Sequence, residues 1–363
     1  MRVLYGVVGE GMGHAMRSAV ILEALTAMGH DVRIVVSGRA ADYLGARYPS
    51  QVHRITGLTM VYEDNVVRKM KTALSNLKAA AGLPENFMTY LEMARSFSPD
   101  VVVSDFESWT YTFAKGQKVP IISVDNMQVI ARCHHDEQVL RGEMKDFLLA
   151  KGIVRAKLPR CNAYLITTFF YPPVKRPRTT LHPPILRKVI LDAKARVQSG
   201  EHVLVYQSGT SHESLVDELR RVDVPFRVYG LRRDLQGPLT EGNLTFCPFS
   251  EDGFIEDLAT AKAVVAGGGF TLMGEAVYMG KPMFSIPLVG QFEQVLNANY
   301  LEQLGYGERA QHVTAESLTV FLERAPTYAE NLTRFEHDGN QGLLSTLESA
   351  MAQAVAEGAR GVD

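Results

Sequence analysis

A run of glycines at the end of an apolar segment gives the clearest chemical signal in the chain. The sequence there reads Gly268-Gly269-Phe270-Thr271, and a helical pattern follows it. Glycine leaves backbone N–H groups open to an oxyanion, and the first turn of a helix carries partial positive charge. A tight turn without a ligand would use the same glycines. Glu275, one turn further on, can accept hydrogen bonds from both ribose hydroxyls, and this pairing favours a nucleoside diphosphate site.

Amide and carboxylate side chains follow further along the chain. Gln291, Gln294 and Asn297 recur every three residues, roughly on one helical face, and Glu293 lies beside Gln294. Side chains of these types bind the hydroxyl groups of a sugar. An amphipathic surface helix would show a similar pattern, but such a helix rarely follows a glycine-rich anion loop at this distance. Residues 267–297 therefore predict a site for the diphosphate, ribose and sugar of a nucleotide-sugar donor.

A second turn of small residues precedes this site. Ser208, Gly209 and Thr210 come directly after an apolar run that predicts a strand, so they are expected at the same edge of the sheet. Their hydroxyl and amide groups are candidate ligands for the diphosphate. An ordinary strand–helix loop remains an equal alternative.

Near the start of the chain, another glycine-rich loop lies between a predicted strand and a helix. Its glycines have the spacing Gly-x-Gly-x-Gly rather than the G-x-G-x-x-G that binds dinucleotides, which argues against an NAD site. Glu10, Gly11 and Gly13 can let an acceptor approach closely. His14 follows at the helix N-terminus, where the helix dipole favours the neutral imidazole, and a neutral imidazole can take a proton from an acceptor hydroxyl. The alternative is a structural histidine that caps the helix.

Two further polar residues stand at predicted strand ends. Asp105 follows the apolar run 101–103, and Asn126 follows the run 121–124. Because the carboxyl ends of parallel strands converge on one crevice, Asp105 should lie near His14. Asp105 would then orient His14 or act as the base itself, unless it simply caps the next helix. Asn126 is a weaker candidate for the acceptor site.

The elements that must position these residues form a repeated pattern. Short apolar runs alternate with helical patterns, which is typical of parallel βαβ units. Five prolines between residues 172 and 184 interrupt this alternation and predict a stiff linker. The α/β chain therefore divides into a first doubly wound domain over 1–170, a linker over 171–198 and a second domain over 199–335. Residues 336–363 predict a C-terminal helix with no following strand, which is expected to be able to pack back on the first domain.

The motifs at these positions resemble the donor signature of GT-B glycosyltransferases, especially bacterial and archaeal enzymes similar to the peptidoglycan N-acetylglucosaminyltransferase and to macrolide and antibiotic glycosyltransferases. The resemblance implies two Rossmann-like domains facing each other across a cleft. It assigns the diphosphate to Gly268, Gly269, Phe270 and Thr271 and the ribose to Glu275. It assigns the donor sugar to Glu293 and Gln294, with Gln291 beside them, and the base, expected to be uracil, to the backbone near Phe249.

The expected chemistry is sugar transfer to a hydroxyl acceptor, either a small molecule or a lipid-linked one. No D-x-D triplet occurs in the sequence to hold a metal on the diphosphate, so a metal-independent reaction without a cofactor is expected. The related families invert the anomeric centre. The alternatives are a nucleotide-sugar 2-epimerase and a binding protein that has lost its chemistry.

Composition sets the remaining expectations. The 363 residues are 46% hydrophobic and carry a net charge of −2, so nothing draws the chain as a whole to nucleic acid. Three dispersed cysteines and the absence of a long apolar run fit a cytoplasmic protein. Residues 66–83 combine four basic side chains with apolar residues at helical spacing, which predicts a basic amphipathic helix. Such a helix would allow peripheral contact with the inner face of the membrane, although a solvated surface helix has the same pattern.

Overall fold

A computed structural model gives the fold of this protein. It describes residues 1–9, 11–57, 62–63, 66–67, 83–140, 142–207 and 213–358, with only the backbone described at 62–63, 66–67, 83–84 and 213. Within these residues, no helix is both long enough and apolar enough to cross a bilayer.

The first domain is built on a seven-stranded parallel sheet. Its strand order is β3-β2-β1-β6-β7-β8-β9, so strands with distant positions in the chain lie side by side. Every residue of β6 and β7 is buried, which explains why these strands are continuous apolar runs rather than alternating ones. The strands are β1 (Arg2–Val7), β2 (Asp31–Val36), β3 (Val52–Arg54), β6 (Val101–Asp105), β7 (Ile121–Asp125), β8 (Ala163–Thr167) and β9 (Thr179–His182).

Helices cover both faces of this sheet. They are α1 (Met12–Ala27), α2 (Gly38–Arg47), α3 (Leu83–Glu92), which continues as a π-helical turn (Met93–Phe97), α4 (Ser108–Gln117), α5 (Val129–Arg132), α6 (Glu137–Leu140) and α7 (Met144–Lys157). The basic helix predicted over 66–83 does not begin at residue 66. There β5 (Val66–Val67) pairs antiparallel with β4 (Tyr62–Glu63), and residues 68–82 lie outside the described part of the chain.

The proline-rich segment differs in part from the predicted linker. Four residues of this segment, Thr179–His182, form β9. This strand pairs in parallel with β8 and is an edge strand of the first sheet. Proline is tolerated next to an edge strand because one side of that strand makes no sheet hydrogen bonds, and the prolines here flank the strand instead of interrupting it. The chain then crosses to the second domain through α8 (Lys188–Ala193) and a 3₁₀ turn (Lys194–Arg196).

The second domain repeats the architecture. Its sheet has the order β12-β13-β11-β10-β14-β15-β16, and β12 is the antiparallel edge strand. The strands are β10 (Val203–Tyr206), β11 (Phe226–Tyr229), β12 (Leu239–Glu241), β13 (Leu244–Cys247), β14 (Ala263–Ala266), β15 (Met283–Ser285) and β16 (Gly307–Arg309). The helices are α9 (Glu213–Arg220), α10 (Glu251–Thr260), α11 (Phe270–Tyr278), α12 (Phe292–Gln303) and α13 (Ala315–Leu332).

After α13 the chain returns to the first domain. Helix α14 (Gln341–Glu357) buries Leu343, Leu347 and Met351 in the same apolar cluster as β1 and β2. A hydrogen bond of 2.8 Å between His30 Nε2 and Glu348 Oε2 lies at this junction. The last described helix therefore completes the core of the first domain.

The two domains also share aromatic packing beside the cleft. The ring of Phe170, after β8, stacks on Tyr300 of α12 with centroids 3.9 Å apart. Phe147 of α7 packs on Phe292 of α12 at 5.6 Å, and the buried His135 makes a hydrogen bond of 2.8 Å to the Tyr300 hydroxyl. This packing holds α12, which carries part of the predicted donor site, against the first domain.

Candidate active site

The structure brings His14 and Asp105 together at the carboxyl edge of the first sheet. His14 lies in the first turn of α1, which begins after Gly11 without a side-chain cap. Asp105 ends β6, directly beside the last residue of β1. The His14 Nδ1 atom is 2.8 Å from Asp105 Oδ1, so the convergence expected of neighbouring parallel strands is present.

Asp105 is fully buried, and both of its oxygens have hydrogen-bond partners. Arg17 Nε donates to Oδ2 at 2.8 Å, and the Ser18 hydroxyl donates to the same atom at 3.0 Å. Burial alone would raise the pKa of the Asp105 carboxyl, but the charge of Arg17 and the contact with His14 outweigh burial and hold that pKa far below its usual range. Asp105 therefore stays ionised and is suited to orient His14 rather than to accept a proton.

The surroundings of His14 favour the neutral form of its imidazole. Burial lowers the pKa of its imidazole, and the nearby charge of Arg17 lowers it further, against the opposing effect of Asp105. Nδ1 also lies 2.5 Å from Arg17 Nη2. Arg17 can only donate, so in a hydrogen bond between these two atoms Nδ1 would accept and the imidazole proton would be on Nε2. We favour the tautomer in which Nδ1 donates to Asp105, because an ionised carboxylate is the stronger acceptor. In that tautomer Nε2 carries the lone pair of a base.

Arg17 was not among the residues singled out from the sequence. Its side chain is only 4% exposed, and it binds both Asp105 and Asn126, whose Oδ1 accepts from Nη1 at 2.6 Å. The available signal was its position three residues after His14, which places both side chains on one face of α1.

Asn126 connects the two domains. Its Nδ2 donates a hydrogen bond of 2.7 Å to Glu293 Oε1 in the first turn of α12. Asn297 donates to the same oxygen at 2.7 Å and to the carbonyl of Gly268 at 3.1 Å. Burial raises the pKa of the Glu293 carboxyl, while these amides oppose the rise. The predicted sugar-binding carboxylate thus meets the predicted acceptor residue at the cleft.

The predicted diphosphate loop leads into α11, the second helix that faces the cleft. Gly269 is the N-cap of α11 and is exposed, and no side chain caps this helix. Gln294 holds the loop, because its Oε1 accepts from the backbone N–H of Gly268 at 3.2 Å and of Leu288 at 3.1 Å. Gln291, the N-cap of α12, accepts a hydrogen bond from the Gln294 amide. Gln294 therefore shapes the loop as well as lying beside it.

The two glycine loops face each other across the cleft. A Cβ atom added to Gly13 of α1 would lie 2.3 Å from Thr271 Oγ1 of α11. Two helix N-termini without side-chain caps therefore approach the same point, and their partial positive charges favour an anion there.

Glu275, predicted to bind ribose, is occupied in this structure. The residue is 4% exposed, and its carboxylate accepts from Arg187 Nη2 at 2.7 Å and Nε at 3.2 Å, while Arg187 also pairs with Glu251. Burial raises the pKa of Glu275 against the effect of Arg187. A ribose hydroxyl would have to share this carboxylate with Arg187, a residue of the crossing between the domains that the sequence did not single out.

The remaining predicted residues divide into two groups. Phe249 lies in the loop between β13 and α10, and its side chain is 78% exposed. Glu10 and the turn of Ser208, Gly209 and Thr210 lie outside the described residues.

Comparison with known proteins agrees with this fold. Residues 1–326 match the model of a family described as glycosyl transferase family 1. The chain belongs to this family and is a glycosyltransferase.

Curated relatives are also named as glycosyltransferases. A protein of Methanosarcina acetivorans called an uncharacterized glycosyltransferase is 24% identical over 358 residues, covering 92% of this chain and 90% of the relative. An uncharacterized glycosyltransferase of Methanosarcina mazei is 24% identical over 389 residues, covering 98% of this chain and all of the relative.

Solved structures share the two-domain fold. The glycotransferase of kitacinnamycin has a TM-score of 0.68 at 19% identity. The match covers 96% of this chain and 99% of the kitacinnamycin enzyme's chain. MurG of Acinetobacter baumannii has a TM-score of 0.59 at 14% identity, covering 96% of this chain and 100% of its own. Phytolacca americana UGT2, complexed with UDP-2fluoro-glucose and pterostilbene, has a TM-score of 0.66 at 14% identity, covering 97% and 99%. These neighbours have the GT-B fold, and the sequence-based prediction of that fold is confirmed.

Proposed function

We propose that this glycosyltransferase moves a sugar from a nucleoside diphosphate, with UDP as the carrier, to a hydroxyl acceptor. The observation that carries the proposal is the position of the His14–Asp105 pair beside the uncapped start of α11. A base on one wall and an anion site on the other are the two groups that the reaction requires.

His14 is the proposed base. Its Nε2 takes the proton of the acceptor hydroxyl while the acceptor oxygen attacks the anomeric carbon. The bond from that carbon to the diphosphate breaks, and the leaving oxygen keeps the electron pair. Asp105 holds the ring and stabilises the imidazolium that forms. A single displacement of this kind inverts the anomeric centre.

The donor is proposed to extend from Gly269 to Glu293. The backbone N–H groups at the start of α11, at Phe270 and Thr271, would stabilise the charge that grows on the diphosphate. Glu275 would bind the ribose through the oxygen that Arg187 leaves free, and Glu293 would bind the sugar. The choice of UDP rests on the family resemblance and on the UDP-sugar bound to one structural neighbour.

Transfer without a metal is part of the proposal. The support is the missing D-x-D triplet together with two positively polarised helix starts that already face one point of the cleft. The acceptor is proposed to be a small or lipid-linked alcohol.

Two variants test the base. His14→Gln should lower kcat by about two to four orders of magnitude, the range that general base catalysis supplies, while calorimetric binding of the UDP-sugar persists. Asp105→Asn should also lower kcat. His30→Gln is the matched control, because His30 also pairs with a carboxylate at 2.8 Å but lies at the junction with α14.

The alternatives have distinct outcomes. A chain that converts a UDP-sugar to its epimer without an acceptor would be an epimerase. A chain that binds the donor and transfers it to no alcohol in a broad acceptor panel would be a binding protein. Unchanged transfer by the His14→Gln variant would remove His14 from the mechanism.

A further inference from the structure

Helix α7 is apolar on its outer side as well as on its inner side. Inside, Phe147 and Val154 are buried against the core and the second domain. Outside, Leu148, Leu149 and Ile153 are 56%, 50% and 45% exposed. A helix at the surface of a soluble protein normally presents polar residues outward, so an apolar outer face indicates that another surface covers it.

Basic side chains surround these exposed residues. Helix α7 and the neighbouring residues 174–176 contain one acidic residue, Asp146, although the whole chain has a net charge of −2. Burial and the adjacent Lys175 lower the pKa of Lys151, which indicates that positive charges of the helix and the loop lie close together. The nearby Glu143 does not offset them, because it pairs with Arg309 at 3.0 Å. The basic residues are Lys145, Lys151, Arg155, Lys175 and Arg176.

The C-terminal end of this helix reaches the proposed active site. Lys157 Nζ lies 4.2 Å from the ring centre of Phe106, the residue after Asp105. The helix that carries the exposed apolar residues therefore ends beside the strand end that carries Asp105. We call Leu148, Leu149 and Ile153, together with these basic residues, the α7 surface.

We propose that the α7 surface docks the enzyme on an anionic lipid bilayer. The exposed leucine and isoleucine side chains would enter the headgroup region, while the basic residues would meet lipid phosphates. Both contributions are needed, because a small apolar area or a few charges alone bind membranes weakly. This inference rests on the proposed function. Docking through the α7 surface places the acceptor side of the cleft at the lipid boundary, from which a lipid-linked alcohol reaches His14.

Vesicle flotation with the full chain, in the absence of donor, tests the proposal. The protein should float with vesicles of phosphatidylcholine and phosphatidylglycerol and should bind vesicles of phosphatidylcholine alone at least tenfold more weakly. Raising the salt should weaken the anionic binding. Two double variants should each bind anionic vesicles at least tenfold more weakly. One combines Leu148→Ser with Ile153→Ser, and the other combines Lys145→Glu with Arg155→Glu. Val355→Ser is the matched control, because Val355 is a 40% exposed apolar residue on α14.

Three outcomes overturn the proposal. One is that the unmodified chain does not bind anionic vesicles at low salt. Another is that the Val355→Ser variant loses as much vesicle binding as the variants of the α7 surface. The third is a dimer of the unmodified chain, seen by light scattering, that the Leu148 and Ile153 variant converts to a monomer. Donor binding by calorimetry is measured on the same variants. Absence of vesicle binding by the unmodified chain together with intact transfer contradicts only the membrane proposal, whereas vesicle binding without donor binding contradicts only the proposed function.

Discussion

Asn126 of the first domain donates a hydrogen bond of 2.7 Å to Glu293 of the second. Asn126 in turn accepts from Arg17 at 2.6 Å, and Arg17 holds Asp105, the partner of His14. A continuous line of side-chain hydrogen bonds therefore connects the proposed sugar-binding carboxylate to the proposed base.

This line predicts an effect of Asn126 on transfer. Asn126→Ala removes the bond to Glu293 and leaves Arg17 without one acceptor, so both groups lose their fixed orientation. We expect kcat/KM to fall about tenfold, which corresponds to ~1.4 kcal/mol. Steady-state kinetics with donor and acceptor varied separately measures the effect. Asn331→Ala is the control, because the Asn331 amide binds the Gly305 carbonyl away from the cleft. Equal kcat/KM in both variants would contradict a role for this line.

The lowered pKa of His14 predicts a pH dependence. The base must be neutral, so activity should fall with decreasing pH only as His14 becomes protonated. Because burial and Arg17 both favour the neutral ring, the acidic limb of kcat/KM should lie below pH 6.5, the ordinary pKa of histidine.

Arg17→Gln tests the cause of that shift. It removes a charge that lowers the pKa of His14, so the acidic limb should move to higher pH. It also removes the positive charge that pairs with the buried Asp105. The free energy of unfolding should therefore fall by about 3–5 kcal/mol. Arg17→Lys keeps the charge and should keep the limb closer to its original position, even if the glutamine variant folds poorly. An acidic limb that does not depend on the charge at position 17 would rule out the assigned cause.

The close approach of α1 and α11 predicts that Gly13 must remain small. The Cβ of Gly13→Ala would meet Thr271 Oγ1 at 2.3 Å, so the two helix N-termini should separate. We expect transfer to fall at least tenfold and small-angle scattering to show a larger radius of gyration. Gly152→Ala is the control for helix propensity, since a Cβ there meets nothing within 4 Å. Removing the hydroxyl in a Gly13→Ala, Thr271→Ala double variant should restore part of the closure, and failure to do so would contradict the steric explanation.

Chelation tests the proposed metal independence. If helix N-termini supply the positive charge at the diphosphate, transfer should persist in excess EDTA. The measurement is the initial rate with and without EDTA, followed by addition of Mg²⁺ or Mn²⁺. A loss that either ion restores would show that a cation takes part.

Features with a local cause were predictable from the sequence. The buried parallel strands appear as apolar runs, and the glycine loops appear because backbone near an anion has few alternatives to glycine. His14 and Asp105 meet because His14 lies in the helix that follows β1 and Asp105 ends the neighbouring strand β6.

Features that depend on distant partners were not predictable. The carboxylates that Arg17 and Arg187 bind are 88 residues away in the chain, so local spacing does not specify these contacts. For Arg17, local spacing shows only that it shares a helix face with His14. Strand β9 was predicted as linker because its flanking prolines dominate the composition, yet pairing with β8 decides its structure. Residues 66–83 have helical spacing, but Val66–Val67 form a strand with a backbone partner that spacing does not specify.

The return of helix α14 to the first sheet has a consequence for how the protein is made. The core around β1 and β2 includes Leu343, Leu347 and Met351, which are translated after the whole second domain. The second domain, a contiguous segment, can complete its own sheet during synthesis while the first still lacks part of its core. The first domain therefore reaches its final stability last, although it is translated first.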